Sequence, residues 1–510
     1  MGADAELMAS LRFWTIPLTL FAASLGAYLG MVSMQLRHGS LGGGVVFEFL
    51  AWFGLAFVTY AAAIFWLEQW WSNERRTRPG GHPGVRGFFL VGGLWLGGIL
   101  FRWLLLRTYP TLSSDVFRYI WDGHVSVNGI SPYQFPIHAS QLDWLDIPYR
   151  GQAHHVHMAS PYMPVAQWYF TSIAIFYPLE PVSFQTAAVL LDLGTAYVLS
   201  RLLTLADLPA HRLLIYLWNP LAIVETAQGA HLDALMVLLA FLAVYALMGR
   251  SAALPRAPGT GREFPRRPSP LPFTVLTPAL LALATLTKLV PLVLAPVFWW
   301  RWNWGSRLLY GYLVVGLLVA PALRAGWGLS GDLDGRGLFG ALRIYLDEWN
   351  FNSGLFHWLE EWLKEMGIGS PMAQAKEITF FLLFLLLLGV WLWSRRTRDD
   401  PRSTLRLFAV PLGGYLLLTS TVHPWYLLAL LPFLPLLTPG TDESARVWLW
   451  TLPWLWLSGA LALSYVTYLD PANQREYELV RQLEWLPALL LLGVALRWGD
   501  SGRLFRPERG

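Results

Sequence analysis

The stretch FWTIPLTLFAASLGAYLGMVSM, residues 13–34, carries no charged side chain. A helix needs about 20 consecutive, mainly apolar residues to cross the hydrocarbon of a bilayer. A second stretch of this kind, FFLVGGLWLGGILFRWLLL at 88–106, contains a single arginine. Because helices satisfy all their backbone polar groups internally in lipid, the sequence predicts an all-α, polytopic transmembrane protein. The leading MGADAEL is too acidic for a cleaved signal peptide, so we expect 13–34 to be a retained span.

Similar apolar segments recur along the whole chain, which is 55% hydrophobic and only 14% charged. Soluble domains carry about 25% charged residues, so the composition excludes a soluble globular protein. We expect a helical bundle of roughly thirteen to fifteen membrane segments. Prolines 164 and 178 interrupt one of them, which makes it a candidate for a re-entrant segment. The apolar segments lie at 12–34, 46–68, 87–107, 163–180, 183–205, 211–228, 230–249, 272–287, 288–301, 308–323, 376–394, 405–422, 424–438, 446–468 and 483–498.

Basic residues gather in short stretches beside these segments, a pattern typical of cytoplasmic loops. The stretches are 73–86, 256–268, 395–402 and 503–510. Placing them in the cytoplasm sends two large loops, 108–162 and 324–375, to the extracytoplasmic side and makes 250–271 a cytoplasmic linker. The protein is then a multi-pass protein of the cytoplasmic (inner) membrane. The net charge of +4 comes from these loops and does not indicate a nucleic-acid partner, and the lack of cysteine excludes disulfides and thiolate metal sites.

The first large loop contains SSDVFRYIWDGHVSVNGISPYQF, residues 113–135. Asp115, Arg118, Tyr119 and Asp122 are spaced so that they share one face of a helix. One interpretation is structural: a serine caps the helix, Asp115 favours its N-terminus and Arg118 pairs with a neighbouring aspartate. The other is a carboxylate at the membrane surface that acts as a general base, with Arg118 near an anion. The residues alone leave both open.

The next polar cluster is HHVHMASPYMPVAQW, residues 154–168. Its three histidines lack the spacing of a metal site, so we expect exposed loop histidines. The prolines that follow shape the entry of the chain into a membrane segment.

A third cluster, WNPLAIVETAQGAHLDAL at 218–235, puts polar residues into otherwise apolar helices. His231 and Asp233 could simply form a pair at a helix N-terminus. Glu225 lies one or two turns deeper and is harder to explain in that way, because an unpaired carboxylate in the membrane costs several kcal/mol. Gly229 could break the helix where the chain turns.

Two further motifs lie at the predicted extracytoplasmic face of the membrane. Lys288 is isolated among apolar residues, where snorkelling to the interface is the usual explanation and contact with an anion the alternative. His423 precedes a short helix with Pro424 at its first position. Trp425 and Tyr426 fit an interfacial aromatic belt, which does not account for His423.

Five motifs occur in one order between residues 87 and 440: DVFRYIWDGHVSVNGISPY, SPYMPVAQ, WNPLAIVETAQGAHLDAL, KLVP and HPWYLL. With these motifs the chain resembles the GT-C glycosyltransferases, and more narrowly the bacterial polyprenol-phosphate-mannose-dependent mannosyltransferases. It departs from them at HHVHMASPYMP, where those relatives have an Asn-containing stretch before a Tyr-Pro-Pro entry.

The resemblance implies an inverting, metal-independent hexosyltransferase. It would move a hexose, mannose first, from a polyprenyl-phosphate donor to a glycan or glycolipid acceptor at the extracytoplasmic face, with no further cofactor. Asp115 matches the family's catalytic carboxylate and would deprotonate the acceptor hydroxyl, with Asp122 as the alternative base. The leaving phosphate needs charge stabilisation more than protonation. The residues expected around the donor phosphate and substrate are Arg118, Tyr119, Tyr162, Gln167, Asn219, Glu225, His231, Asp233, Lys288, His423, Trp425 and Tyr426.

The second large loop includes the amphipathic stretch FHWLEEWLKEM, residues 356–366, which could lie on the membrane surface or cover the site. The main alternative function is a transporter or lipid-handling protein in which Asp115, Glu225 and Lys288 line a path. The inverted repeat that many transporters show is not evident in the sequence.

Overall fold

The computed structural model of the protein describes residues 2–77, 84–106, 108–145, 147–176, 179–252, 271–324, 337–398, 400–440, 443–470 and 475–500. Most of the 250–271 linker, the 503–510 tail and residues 325–336 of the second large loop lie outside the described residues. Within the described ranges the chain is helical and forms no strand, apart from an isolated parallel bridge between Phe351 and Thr421. The prediction of an all-α polytopic bundle is confirmed.

The α-helices of the described residues alternate with short 3₁₀ segments. The α-helices are α1 Gly2–His38, α2 Val45–Thr77, α3 Gly84–Leu105, α4 Asp115–Val127, α5 Pro164–Phe176, α6 Pro181–Leu205, α7 Leu214–Leu217, α8 Pro220–Ala227, α9 Asp233–Ala252, α10 Leu271–Thr285, α11 Ala295–Trp299, α12 Trp304–Arg324, α13 Gly337–Glu348, α14 Leu355–Glu365, α15 Pro371–Arg396, α16 Pro401–Leu407, α17 Ala409–Leu418, α18 Leu452–Ala460 and α19 Glu478–Trp498. The 3₁₀ segments are Ser140–Leu145, Arg150–Gln152, Ala210–Leu213, Val290–Leu294, Pro424–Ala429, Leu431–Leu437, Ala445–Trp450 and Leu461–Leu469.

Among the described residues, 7 helical segments are long and apolar enough to cross a membrane. They are Phe13–His38, Val45–Arg76, Val85–Leu105, Pro181–Leu205, Pro371–Arg396, Ala445–Leu469 and Glu478–Trp498. Asp233–Gly249, Phe273–Thr285, Val290–Trp299 and Trp304–Ala320 form shorter apolar helices. Helix α5, in the predicted segment 163–180, has 13 residues and is about 20 Å long. It is therefore shorter than the roughly 30 Å of bilayer hydrocarbon.

Most of the helices share one large apolar core, α4 and α5 pack around a second apolar cluster, and apolar side chains remain on the outside. Helix α1 packs on α2, α9 packs on both α6 and α10, and α18 packs on α19. Phe65 of α2, Leu190 of α6 and Phe380 of α15 are each more than 60% exposed. Exposed apolar side chains on long helices are favourable when the surroundings are lipid, so this surface suits a bilayer.

A buried ion pair joins α3 to α6. The Arg102 guanidinium pairs with the Asp192 carboxylate, and both side chains are fully buried. Arg102 Nη1 also donates to the carbonyl oxygens of Gly98, at 2.9 Å, and Leu217, at 2.8 Å. Charges are tolerated in such surroundings when they are paired and hydrogen-bonded, which explains how Arg102 can sit in an apolar segment.

Basic side chains hold one end of the bundle together. Arg212 Nε donates to Glu68 Oε1, in the C-terminal part of α2, at 2.8 Å. Arg212 Nη1 donates to Thr438 Oγ1, at 2.8 Å, and Arg406 Nη2 donates to the Thr438 carbonyl, at 3.0 Å. These contacts gather helix ends that adjoin the first and third basic stretches of the sequence.

Candidate active site

Helix α4 places the first acidic residue of the motifs at its N-terminus. The helix begins at Asp115, whose backbone N–H donates to Ser113 Oγ at 3.2 Å. It ends at Val127, just before Gly129, which has φ +79°. Ser113 thus accepts from the first N–H of the helix, whereas the N-cap residue Ser114 makes no side-chain capping bond, and a glycine in the left-handed region follows the helix end.

The Asp115 carboxylate is held on one side and open on the other. Its Oδ2 lies 3.6 Å from His231 Nδ1 and accepts from the Tyr119 hydroxyl at 3.5 Å. Its side chain is 34% exposed, and Oδ1 makes no hydrogen bond to any described residue. Burial alone would raise the pKa of Asp115, but the nearby His231, with smaller effects of His423 and Lys288, holds it below the usual value. Asp115 is therefore an ionised, accessible carboxylate.

His231 lies in the connection between α8 and α9 and is fully buried. Its Nδ1 faces Asp115, and its Nε2 lies 3.2 Å from Glu225 Oε2. Burial alone would lower the pKa of His231, but the two carboxylates raise it to about 9. At neutral pH the ring is an imidazolium between two carboxylates.

The sequence QGAH in this connection explains how His231 folds back over α8. Ala230 has φ +54°, in the left-handed region. A Cβ at Gly229 would lie 2.6 Å from His231 Cδ2 and 2.8 Å from the Glu225 carbonyl oxygen. Only glycine leaves room for the imidazole at this point of the turn.

Aromatic rings continue from His231 to the second large loop. Trp425 stacks on His231, with ring centroids 4.0 Å apart, and His423 stacks on Trp425 at 4.4 Å. Phe351 stacks on His423 at 4.5 Å. The backbone of Phe351 is bonded to the segment before His423, since its N–H donates to the Ser420 carbonyl at 3.1 Å. The fifth motif and the second large loop therefore meet at the site.

Lys288 is paired but remains accessible. Its Nζ lies 2.9 and 3.1 Å from the two carboxylate oxygens of Asp233 and 4.0 Å from the ring centroid of Tyr426. The Lys288 side chain is 25% exposed, whereas that of Asp233 is 3% exposed. The pair joins the third and fourth motifs, and a quarter of the Lys288 side chain stays exposed beside it.

Asp122, in contrast, is engaged on both oxygens. Its Oδ1 accepts from Arg118 Nε at 3.0 Å, and its Oδ2 accepts from Gln167 Nε2 at 3.0 Å and from the Ser160 hydroxyl. Arg118 also donates to the Met158 carbonyl, at 3.3 Å. Asp122 and Arg118 are buried and tie α4 to the 154–160 segment and to α5. Of the two candidate bases, this geometry favours Asp115.

Asn219 and Tyr162 differ in their relation to the site. Asn219 Oδ1 caps α8 by accepting from the N–H groups of Leu221 and Ala222, and its Nδ2 donates to Ser458 Oγ at 3.0 Å. Asn219 is fully buried, so the structure places it as a helix cap in the core. Tyr162 packs edge-on against Tyr119, with centroids 5.2 Å apart, and so lies beside the Asp115 cluster.

The structure adds residues that the sequence did not indicate. The Tyr465 hydroxyl donates to Glu225 Oε1 at 2.7 Å, and Phe351 extends the ring stack. Trp349 contacts His155, with ring centroids 4.3 Å apart. Tyrosine and tryptophan are common in spans and at interfaces, so their presence in the sequence gave no signal of these contacts.

The three histidines at 154, 155 and 157 are exposed, as the sequence predicts. The Trp349 ring covers part of the His155 imidazole, and this partial desolvation lowers the pKa of His155 to about 4. Within the described part of the chain, no three histidine or carboxylate side chains converge in a way that could hold a metal ion.

Comparison with known proteins relates the chain to a family. The family described as "Alpha-(1->6)-mannopyranosyltransferase, N-terminal domain" matches residues 8–304. A curated protein of Mycolicibacterium smegmatis, described as a probable alpha-(1->6)-mannopyranosyltransferase, is 27% identical over 371 residues. That alignment covers 64% of this chain and 62% of the relative, so the chain spans less than two thirds of the relative's length. No solved structure matches the chain.

Proposed function

The chain belongs to the alpha-(1->6)-mannopyranosyltransferase family, and we propose that it transfers mannose from a polyprenyl-phosphate donor to a glycan or glycolipid acceptor. We place the reaction at the extracytoplasmic face of the cytoplasmic membrane, opposite the basic loops. The observation that carries the proposal is the Asp115 carboxylate, which is partly exposed, ionised and held on one oxygen by His231.

Asp115 is the proposed general base. Its free Oδ1 can accept the proton of an acceptor hydroxyl as that oxygen attacks the anomeric carbon of mannose. The carboxylate on the acceptor side and the phosphate leaving from the opposite side of the sugar correspond to a single displacement with inversion. A positioned base contributes roughly 10²- to 10⁴-fold to such a rate.

Lys288 is the proposed partner of the leaving phosphate. Of the four basic residues expected to do this work, Arg118 is buried on Asp122, and His231 lies between two carboxylates. Burial lowers the pKa of His423 to about 3, so its ring is neutral at pH 7 and offers a hydrogen bond but no charge. The Lys288 side chain is 25% exposed and lowers the pKa of Asp115 through its charge, so it is the proposed group that stabilises the anion without a metal.

The decisive experiment uses the purified full chain in detergent or nanodiscs with polyprenyl-phosphate mannose and an α-(1→6)-linked mannose oligosaccharide. Asp115→Asn should lower kcat by roughly 10²- to 10⁴-fold and lower the melting temperature less than Asp122→Asn does, because the Asp115 side chain is partly exposed.

Asp122→Asn is the matched control. It removes one charge from a buried ion pair, a change that typically costs about 3–5 kcal/mol of stability, so it should lower the melting temperature. Full transfer by Asp115→Asn together with an inactive, folded Asp122→Asn would move the base to Asp122. No turnover of any polyprenyl-phosphate sugar by the unmodified chain would overturn the proposed function and favour transport or lipid handling.

A further inference from the structure

Two buried side chains lie behind Asp115. His231 contacts Asp115, and Glu225 of α8 contacts His231 and accepts a hydrogen bond from Tyr465, in the last third of the sequence. We infer that Glu225 and His231 are positioning residues: Glu225 fixes the imidazole, and the imidazole fixes Asp115 Oδ2 so that Oδ1 faces the acceptor hydroxyl. This inference rests on the proposed function and assigns these two residues a different task from contact with the donor.

Glu225 is placed to act on His231 and not on a substrate. Its side chain is fully buried. Its Oε1 accepts from the Tyr465 hydroxyl at 2.7 Å, and its Oε2 lies 3.2 Å from His231 Nε2. Because both oxygens face protein groups, neither is open to a sugar or a phosphate.

The imidazole of His231 is held in one orientation by three elements. Each ring nitrogen faces a carboxylate, and one ring face stacks on Trp425 with a centroid distance of 4.0 Å and an interplanar angle of 15°. A protonated ring against an indole face gains cation–π attraction. The space over Gly229 is filled by the ring itself. A rotation of the ring would give up all of these contacts together.

The charges around His231 explain why the second carboxylate is needed. Asp115 and Glu225 face the ring, Lys288 and His423 lie nearby, and Tyr465 reaches it only through Glu225. The doubly protonated ring presents Nδ1 as part of a charged group 3.6 Å from Asp115 Oδ2. Without the Glu225 carboxylate the ring loses a proton more easily, and Asp115 then faces a neutral ring that attracts it less.

Glu225→Gln tests the inference in the full chain with the same mannose donor and acceptor. The alkaline limb of the kcat profile should move to lower pH, because His231 then deprotonates more readily, and kcat at pH 8 should fall at least about tenfold. The KM for the donor should stay within about twofold, since Glu225 does not touch it. Tyr465→Phe should shift the profile in the same direction by less.

The matched control is Glu68→Gln, which removes another carboxylate–histidine contact, the one with His211 at 2.8 Å, at the end of the bundle that carries the basic stretches. It should leave the pH profile unchanged. A large rise in donor KM with an unchanged pH profile in Glu225→Gln would overturn the inference and make Glu225 a substrate contact.

A readout independent of turnover separates this inference from the proposed function. Titration of ¹⁵N-histidine-labelled protein by NMR should show one histidine that stays doubly protonated above pH 8. The pH at which this histidine loses its proton should fall in Glu225→Gln and, by less, in Tyr465→Phe. If the unmodified chain transfers no mannose but this titration holds, the proposed function fails while the Glu225–His231 pair stands. If no histidine stays protonated above pH 8, the inference fails whatever the activity.

Discussion

Asp115 and Asp122 lie two turns apart on the same face of α4, yet their surroundings differ. The spacing in the sequence predicts that they point the same way, which the helix bears out. It cannot predict that Ser160 and Gln167 close over Asp122 while Asp115 stays 34% exposed, because those contacts come from another segment of the chain. The two aspartates became distinguishable only through packing.

Lys288 gives a prediction at the residue scale. Lys288→Met keeps the length and apolar stem of the side chain but removes its charge, so we expect the KM for polyprenyl-phosphate mannose to rise at least about tenfold, as for the loss of a charged hydrogen bond. Donor titration at fixed acceptor concentration measures it. Asp233→Asn leaves Lys288 charged and should weaken donor binding less. Equal donor KM in Lys288→Met and the unmodified chain would contradict a phosphate contact.

At the scale of elements, the connection between α8 and α9 does the most to build the site. The sequence suggests a helix break at Gly229, and the structure shows why it is a glycine: its missing side chain is the space that His231 occupies. Short helices are the general device here, since α8, α5 and the 3₁₀ segment that follows His423 each start at a proline. In two of them the residue before the proline is polar, Asn219 or His423, and the proline removes one N–H that the helix start would otherwise leave unsatisfied.

Gly229→Ala tests this element. The added Cβ would lie 2.6 Å from His231 Cδ2, so the ring must shift from its position between Asp115 and Glu225, and kcat should fall at least about tenfold. Gly249→Ala in α9 is the control, because a Cβ there meets nothing within 4 Å and alanine favours a helix by about 0.5–1 kcal/mol. Comparable kcat values for the two variants would show that the position of His231 does not matter.

At the scale of the whole molecule, the site combines residues from inside and from outside the region that matches the family. The family match ends at residue 304, whereas Phe351, His423, Trp425 and Tyr465 all contact the cluster from beyond it. The matched residues 8–304 therefore supply the carboxylates, His231 and Lys288. The chain beyond them supplies the rings next to His231 and the hydroxyl that donates to Glu225.

The pH dependence of stability is a property of this whole assembly. His423, with a pKa of about 3 against 6.5 unfolded, binds its proton more readily in the unfolded chain, so stability should be lost as pH falls below about 6.5. His231, with a pKa of about 9, contributes stability that is present below pH 6.5 and lost as pH rises through 9. The melting temperature, measured in detergent from pH 4 to 10, should therefore be highest near neutrality. In Glu225→Gln it should fall less steeply as the pH rises above 7. A melting temperature that keeps rising below pH 5 would contradict this assignment.

The sequence by itself determined the membrane character, the helical class and the segments that carry chemistry, because hydrophobic length, proline and glycine positions and charge bias act locally along the chain. Only the tertiary structure decided which polar residues meet: Asp115 with His231 and Glu225, Lys288 with Asp233, and Asp122 with a closed network. It also turned Asn219 from an expected ligand contact into a buried cap. The reason is physical: a residue's charge state and accessibility depend on what packs against it, and those neighbours lie up to 240 residues away, as Tyr465 does from Glu225.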